Sequence, residues 1–250
     1  MTASITLSEQ SGVRYLHFGS EWIQGAMRIR RPHALELAYT REMMLPLLLH
    51  EGPWPRRILM IGLGAGSLAK FVVRALPETH LQVVEINPEV PPVARSHFRL
   101  PEEGARFRIT LADGVEYVAQ TRHRFDWILV DGYDRNARSG PLDQAPFYAA
   151  CRARLTDHGL LTTNLFQRSR GHQASISRLA AAFDKRAVAL ASADAGNVIG
   201  IAAAGRSLEV PLADMRARAE VVRRNTGLDL RPAISRLQLS AQLESGVLCL

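Results

Sequence analysis

Gly62-Leu63-Gly64-Ala65-Gly66-Ser67 stands between a run of apolar residues and a helical pattern. Glycine at alternate positions lets a strand turn tightly into a helix, and it lets backbone N–H groups approach a ligand with no Cβ in the way. The next apolar run ends in Glu85, and an acid there can accept both hydroxyls of a ribose. A third run is followed by Asp113-Gly114, where a carboxylate can accept the exocyclic amine of adenine. A fourth ends in Asp131-Gly132-Tyr133-Asp134, whose two acids suit a cationic substrate lying above a sheet. Ligands of open parallel sheets sit outside the carboxyl ends of the strands. The four segments therefore predict one nucleoside cleft. Ser67 stands where a pyrophosphate loop usually has Gly or Ala, and the acids after the third and fourth runs would repel phosphates. A cationic sulfonium suits them better, so an S-adenosyl compound is favoured over a dinucleotide.

The elements that must carry these residues alternate. Residues 4 to 31 read as short strands split by the turn signals Ser11-Gly12 and Gly19-Ser20. Leu35 to His50 reads as a helix. From Arg57 onward apolar strands alternate with helices through Ala203, as in a parallel sheet covered on both faces. Leu208 to Arg224 reads as helical, with Pro211 near its start, and past Gly227 no period is visible. The expected fold is α/β: a Rossmann-like, S-adenosylmethionine-methyltransferase-like, mostly parallel sheet. Its expected parts are a small N-terminal β element over 1–34 and a catalytic domain with a C-terminal helical tail over 35–250.

With 47 % hydrophobic and 22 % charged residues, the composition is that of an ordinary soluble domain. No apolar run approaches the roughly 20 residues of a membrane span, and no secretory signal is visible at the N-terminus. Two distant cysteines, Cys151 and Cys249, suit a reduced cytoplasm and cannot form a thiolate metal site alone. The net charge of +7 comes from scattered arginines, with Lys70 and Lys185 the only lysines. Such scatter does not mark a nucleic-acid surface. Trp22, Trp54 and Trp127 are expected to serve packing, and His33, His50 and His80 to lie on the surface. The histidines show no metal spacing. Gln24 is expected to face the cofactor across the β element, and Tyr133 to line the substrate pocket.

From Tyr15 to Ala203 the chain resembles the spermidine synthase (polyamine aminopropyltransferase) family. The likeness is carried by Arg57-Ile58-Leu59-Met60-Ile61-Gly62, Val84-Glu85-Ile86-Asn87-Pro88-Glu89-Val90, Ala112-Asp113-Gly114-Val115-Glu116-Tyr117 and Phe125-Asp126-Trp127-Ile128-Leu129-Val130-Asp131. Gly140-Pro141 and Phe147-Tyr148 follow in the family's order. The resemblance implies a donor site at Gly62, Gly64, Gly66, Glu85, Ile86, Asp113 and Gly114. It implies Asp131 as general base and Asp134 as a seat for the amine, with Tyr39 and Asn164 beside the substrate. Decarboxylated S-adenosylmethionine, or S-adenosylmethionine itself, would be the co-substrate, with a small amine as acceptor, no metal, and a homodimeric assembly.

Departures from the family pattern are also visible. Ala65 stands where family members usually place an Asp that grips the donor's ammonium, and Asn164 replaces a usual Gln. No Tyr-Pro segment precedes Gly196-Asn197-Val198-Ile199-Gly200, and Tyr39 lies one residue out of register. The expected activity is transfer of an aminopropyl group to a diamine such as putrescine. The alternatives are a small-molecule methyltransferase and a non-catalytic nucleoside-binding homologue.

Overall fold

The computed structural model describes residues 5–133, 138–166, 172–194, 196–240 and 243–250. Ser11 and Gly12 both take positive φ, 52° and 74°, the twist that a two-residue hairpin demands. They join β1 (Ile5–Gln10) to β2 (Val13–Phe18), and β3 (Gly25–Arg28) completes a three-stranded antiparallel sheet. The long helix expected over Leu35 to His50 is broken. Only α1 (Ala38–Glu42) is helical, followed by a 3-10 turn at Leu45–Leu48. Pro46 lies near the start of that turn, because it has no N–H to continue the helical ladder and its ring crowds the turn before it.

The alternation then runs as expected. It comprises β4 (Arg57–Ile61), α2 (Ser67–Ala75), β5 (His80–Glu85), α3 (Val90–Phe98), β6 (Phe107–Leu111), α4 (Gly114–Gln120) and β7 (Phe125–Val130). A 3-10 turn (Gly140–Asp143) leads to α5 (Ala145–Arg154), β8 (Leu155–Phe166), α6 (His172–Ala182), β9 (Ala187–Ala191) and β10 (Asn197–Ala203). The seven strands lie in the order β6-β5-β4-β7-β8-β10-β9. The first five are parallel, while β10 is antiparallel to both its neighbours. After β4 the chain moves first to one side and later returns to the other, so a crevice opens between β4 and β7.

Apolar side chains cover both faces. Leu68 and Val72 of α2 and Val90 of α3 pack on one face, and Val118, Phe147, Cys151 and Leu179 from α4, α5 and α6 pack on the other. Trp127 is fully buried, donates to the Thr162 hydroxyl at 2.9 Å and stacks on Trp54 at 5.3 Å between ring centres, so both serve packing as expected. His80 is exposed, but His33 and His50 are half-buried rather than on the surface. His50 lies against Trp54, where burial lowers its pKa to about 4 and keeps the ring neutral.

The C-terminal segment holds β11 (Glu209–Pro211), α7 (Leu212–Thr226), α8 (Arg231–Leu239), β12 (Leu243–Glu244) and β13 (Val247–Cys249). α7 ends at Gly227, whose φ of 77° is the usual helix stop. The tail is thus helical only in part. Its small sheet, β11-β13-β12, escaped the sequence because strands of two or three residues carry no readable period. Among the described residues, no helix is long and apolar enough to cross a membrane.

Candidate active site

A cleft of about 660 Å³ opens at the carboxyl ends of the central strands, within the usual range for small-molecule sites. Its floor begins where β4 passes into the glycine loop. The Gly62 amide donates to Val84 O and the Asp131 amide to Ile61 O, both at 2.9 Å, so the exits of β5, β4 and β7 are tied side by side. Gly62 has φ of 93°, and a Cβ there would strike the Asp131 carbonyl. Gly64, with φ of 52°, approaches Gln24, whose carbonyl would sit 2.8 Å from an added Cβ. Gly66, at φ of 68°, caps α2.

Glu85 is buried, 6 % exposed, at the end of β5. Its carboxylate accepts the Leu63 amide at 2.8 Å and the Asn87 amide at 2.8 Å. The residue expected to meet a ribose therefore also fastens the glycine loop. Burial raises its pKa, and the backbone donors oppose that rise. Asp113 caps α4, accepting from Val115 and Glu116 through Oδ1. Gly114 lets α4 settle on Ile61, since a Cβ there would strike the Ile61 side chain. Ile86 lines the same cleft with 69 % of its surface exposed.

On the far side of β4 the groups are side chains. Asp131 follows β7. Its Oδ2 accepts the Tyr39 hydroxyl at 3.2 Å, and its Oδ1 accepts the Asn164 side-chain amide at 3.0 Å. Asn164 sits near the end of β8 and is itself held from two sides. The Asn197 side-chain amide donates to its side-chain oxygen at 2.8 Å, and the Tyr133 hydroxyl donates to its main-chain oxygen. Burial pushes the Asp131 carboxyl above its ordinary value, while the Asn164 and Tyr39 donors pull it back. Burial, then the charge of Asp131, raises the Tyr39 phenol, so it stays a donor. The Tyr39 amide donates to Asp194 Oδ2 at 2.9 Å.

Thus Gln24, Tyr39, Gly62, Gly64, Glu85, Ile86, Asp113, Gly114, Asp131, Tyr133 and Asn164 all line one cleft. Gly66 lies just outside it, at the start of α2. Asp134 lies outside the described residues. Trp22 packs edge-on against Phe166 at 5.5 Å between ring centres and also lines the cleft. Two lining residues were missed, Asp194 and Asn197. Asp194 lies on the loop between β9 and β10, where no motif or period marks it, and Asn197 is the first residue of β10. A third escaped notice because it works from below. Asp143 is buried, accepts from Tyr148 and Ser175 and pairs with Arg178. That anchors the turn that lays Leu142 against Gly114 and Gly132.

The model of the spermine/spermidine synthase domain matches residues 36–192. The polyamine aminopropyltransferase of Chromobacterium violaceum is 37 % identical over 242 residues, covering 97 % of this chain and 92 % of that protein. The polyamine aminopropyltransferase of Neisseria meningitidis serogroup A is 36 % identical over 236 residues, covering 94 % and 89 %. The crystal structure of a probable spermidine synthase from Corynebacterium glutamicum superposes with a TM-score of 0.72 at 18 % identity, covering 90 % of this chain and 91 % of that one. That likeness extends to the fold. The paired strand exits, the glycine loop fastened by Glu85 and the oriented Asp131 agree with the sequence likeness, and the chain belongs to the spermine/spermidine synthase family.

Proposed function

We propose that the protein transfers an aminopropyl group from decarboxylated S-adenosylmethionine to a small diamine such as putrescine. The observation that carries this reading is Asp131, a carboxylate oriented by Tyr39 and Asn164 in the same cleft as the glycine loop and Glu85. Glu85 and Asp113 fit a nucleoside: each keeps acceptor capacity beyond its backbone bonds, facing a cleft rimmed by Ile86. An alkyl ammonium has a pKa of about 10, as lysine does, so it must lose a proton before attack. Asp131 takes that proton. The freed nitrogen lone pair bonds to the carbon beside the sulfonium, the carbon–sulfur bond breaks, and its electron pair stays on sulfur as neutral methylthioadenosine. No acid is needed for that leaving group, and alignment is the protein's remaining task.

Incubation with decarboxylated S-adenosylmethionine and putrescine is expected to release methylthioadenosine. No release with any diamine would overturn the reading. Ala65 favours a second reading, methyl transfer from S-adenosylmethionine, because the loop then holds no acid to repel a donor carboxylate. Calorimetry with both donors separates the two; tighter binding of the decarboxylated form rejects methyl transfer. The reading carries with it a cytoplasmic location, consistent with two unpaired cysteines, and the homodimer expected from the family, which sedimentation would test.

A further inference from the structure

We propose that Asp194 holds the second ammonium of the acceptor and so makes the site selective for diamines; this rests on the aminopropyl-transfer reading above. The acids lining the cleft are Glu21, Glu85, Asp113, Asp131 and Asp194, against Arg138 alone among the described residues. Glu85 and Asp113 belong to the nucleoside half. Asp131 is committed to the attacking nitrogen. A diamine keeps a second charge, and a charge taken from water into a cleft needs an opposite one beside it. Asp194 is available for that. Its Oδ2 accepts the Tyr39 amide, and among the described residues its Oδ1 accepts no hydrogen bond and its carboxylate makes no ion pair.

The sheet order decides which ammonium it meets. Along the carboxyl edge run β5 with Glu85, β4 with the glycine loop, β7 with Asp131, β8 with Asn164 and then β10, preceded by the Asp194 loop. The nucleoside lies over β5 and β4, so sulfur reaches the reacting carbon from that side. In-line attack puts the acceptor on the opposite side, over β8 and β10. There Asp131 and Asp194 grip opposite ends of one residue, the hydroxyl and the main-chain amide of Tyr39. Their separation is therefore set by the length of a tyrosine, commensurate with a short carbon chain bearing nitrogen at both ends.

The test uses the full chain with decarboxylated S-adenosylmethionine and compares putrescine with butylamine, which has the same carbon chain but only one nitrogen. Asp194→Asn keeps an acceptor for the Tyr39 amide. It is expected to raise the KM for putrescine at least tenfold, with the loss confined to the diamine and the KM for the donor unmoved. Asp194→Glu extends the carboxylate by one methylene and is expected to shift the preferred diamine one carbon shorter. Equal losses for both amines would overturn the assignment, as would a raised donor KM with the putrescine KM unchanged. If the wild-type protein turns over and Asp194→Asn keeps its diamine preference, only Asp194's role fails. A wild-type protein that forms no methylthioadenosine with any amine overturns the aminopropyl reading, and this inference with it.

Discussion

The proposed nucleoside half of the cleft is held together by main-chain groups, whereas the proposed amine half is a relay of side chains from α1, the residues after β7, β8 and the start of β10. In the first half Glu85 collects amides of Leu63 and Asn87, and Asp113 collects those of its own helix. Those donors are present whatever the side chains, so the half depends on a few glycines and two acids. In the second half Asp131 is oriented by Asn164 and Tyr39, and Asn164 in turn by Asn197 and Tyr133. Removing any one member leaves its neighbour free to turn. A main-chain site keeps its ligand as surrounding residues change, while a side-chain relay can be retuned for a different acceptor.

The contrast is sharpened most by Asp131→Asn. Loss of the base is expected to lower the turnover rate roughly 10²–10⁴-fold, with methylthioadenosine affinity by calorimetry unchanged. A parallel loss of affinity would show that the halves are not separable. Glu85→Gln should do the reverse. Its amide group would face a donor N–H, and a lost hydrogen bond to a charged group is worth about 1.5–3 kcal/mol. Methylthioadenosine binding should weaken about 10–100-fold, while the rate at saturating donor stays close to wild type.

Asn164→Ala tests the relay through pH. Asn164 stabilises the Asp131 carboxylate, so its removal raises further a pKa that burial has already raised. Attack needs the carboxylate, hence the acid limb of the activity profile is expected to move to higher pH. The loss should be roughly tenfold on that limb and smaller above it; a uniform loss at all pH values would point to misplacement instead. Tyr39→Phe should give the smallest change, a shift in the same direction and a loss of a few-fold, because a net hydrogen bond from a neutral donor is worth about 1 kcal/mol.

The same contrast explains what could be read beforehand. Gly62, Glu85, Asp113 and Asp131 each lie at or just past the end of a strand, and a strand ending in a turn or an acid is a local pattern. The mostly parallel pairing of the strands follows from their alternation with helices. The roles of Asp194 and Asn197 were not legible, because they matter through contacts with Tyr39 and Asn164, far away in the chain. That Trp22 also lines the cleft was not legible, because only the fold brings it opposite Phe166. The break at Pro46 was legible in principle: the apolar spacing around it is helical, but proline's missing donor overrides spacing.

The contact between the N-terminal sheet and the glycine loop carries a consequence for recombination. A Cβ on Gly25 would lie 2.5 Å from the Ala65 Cβ and 2.8 Å from its amide nitrogen, and Ala65 is 2 % exposed. Positions 25 and 65 are thus a single unit of inheritance, though one sits in the N-terminal sheet and the other in the loop after β4. A chimera that takes its N-terminal sheet from one relative and its glycine loop from another keeps this seam only if the two residues still match.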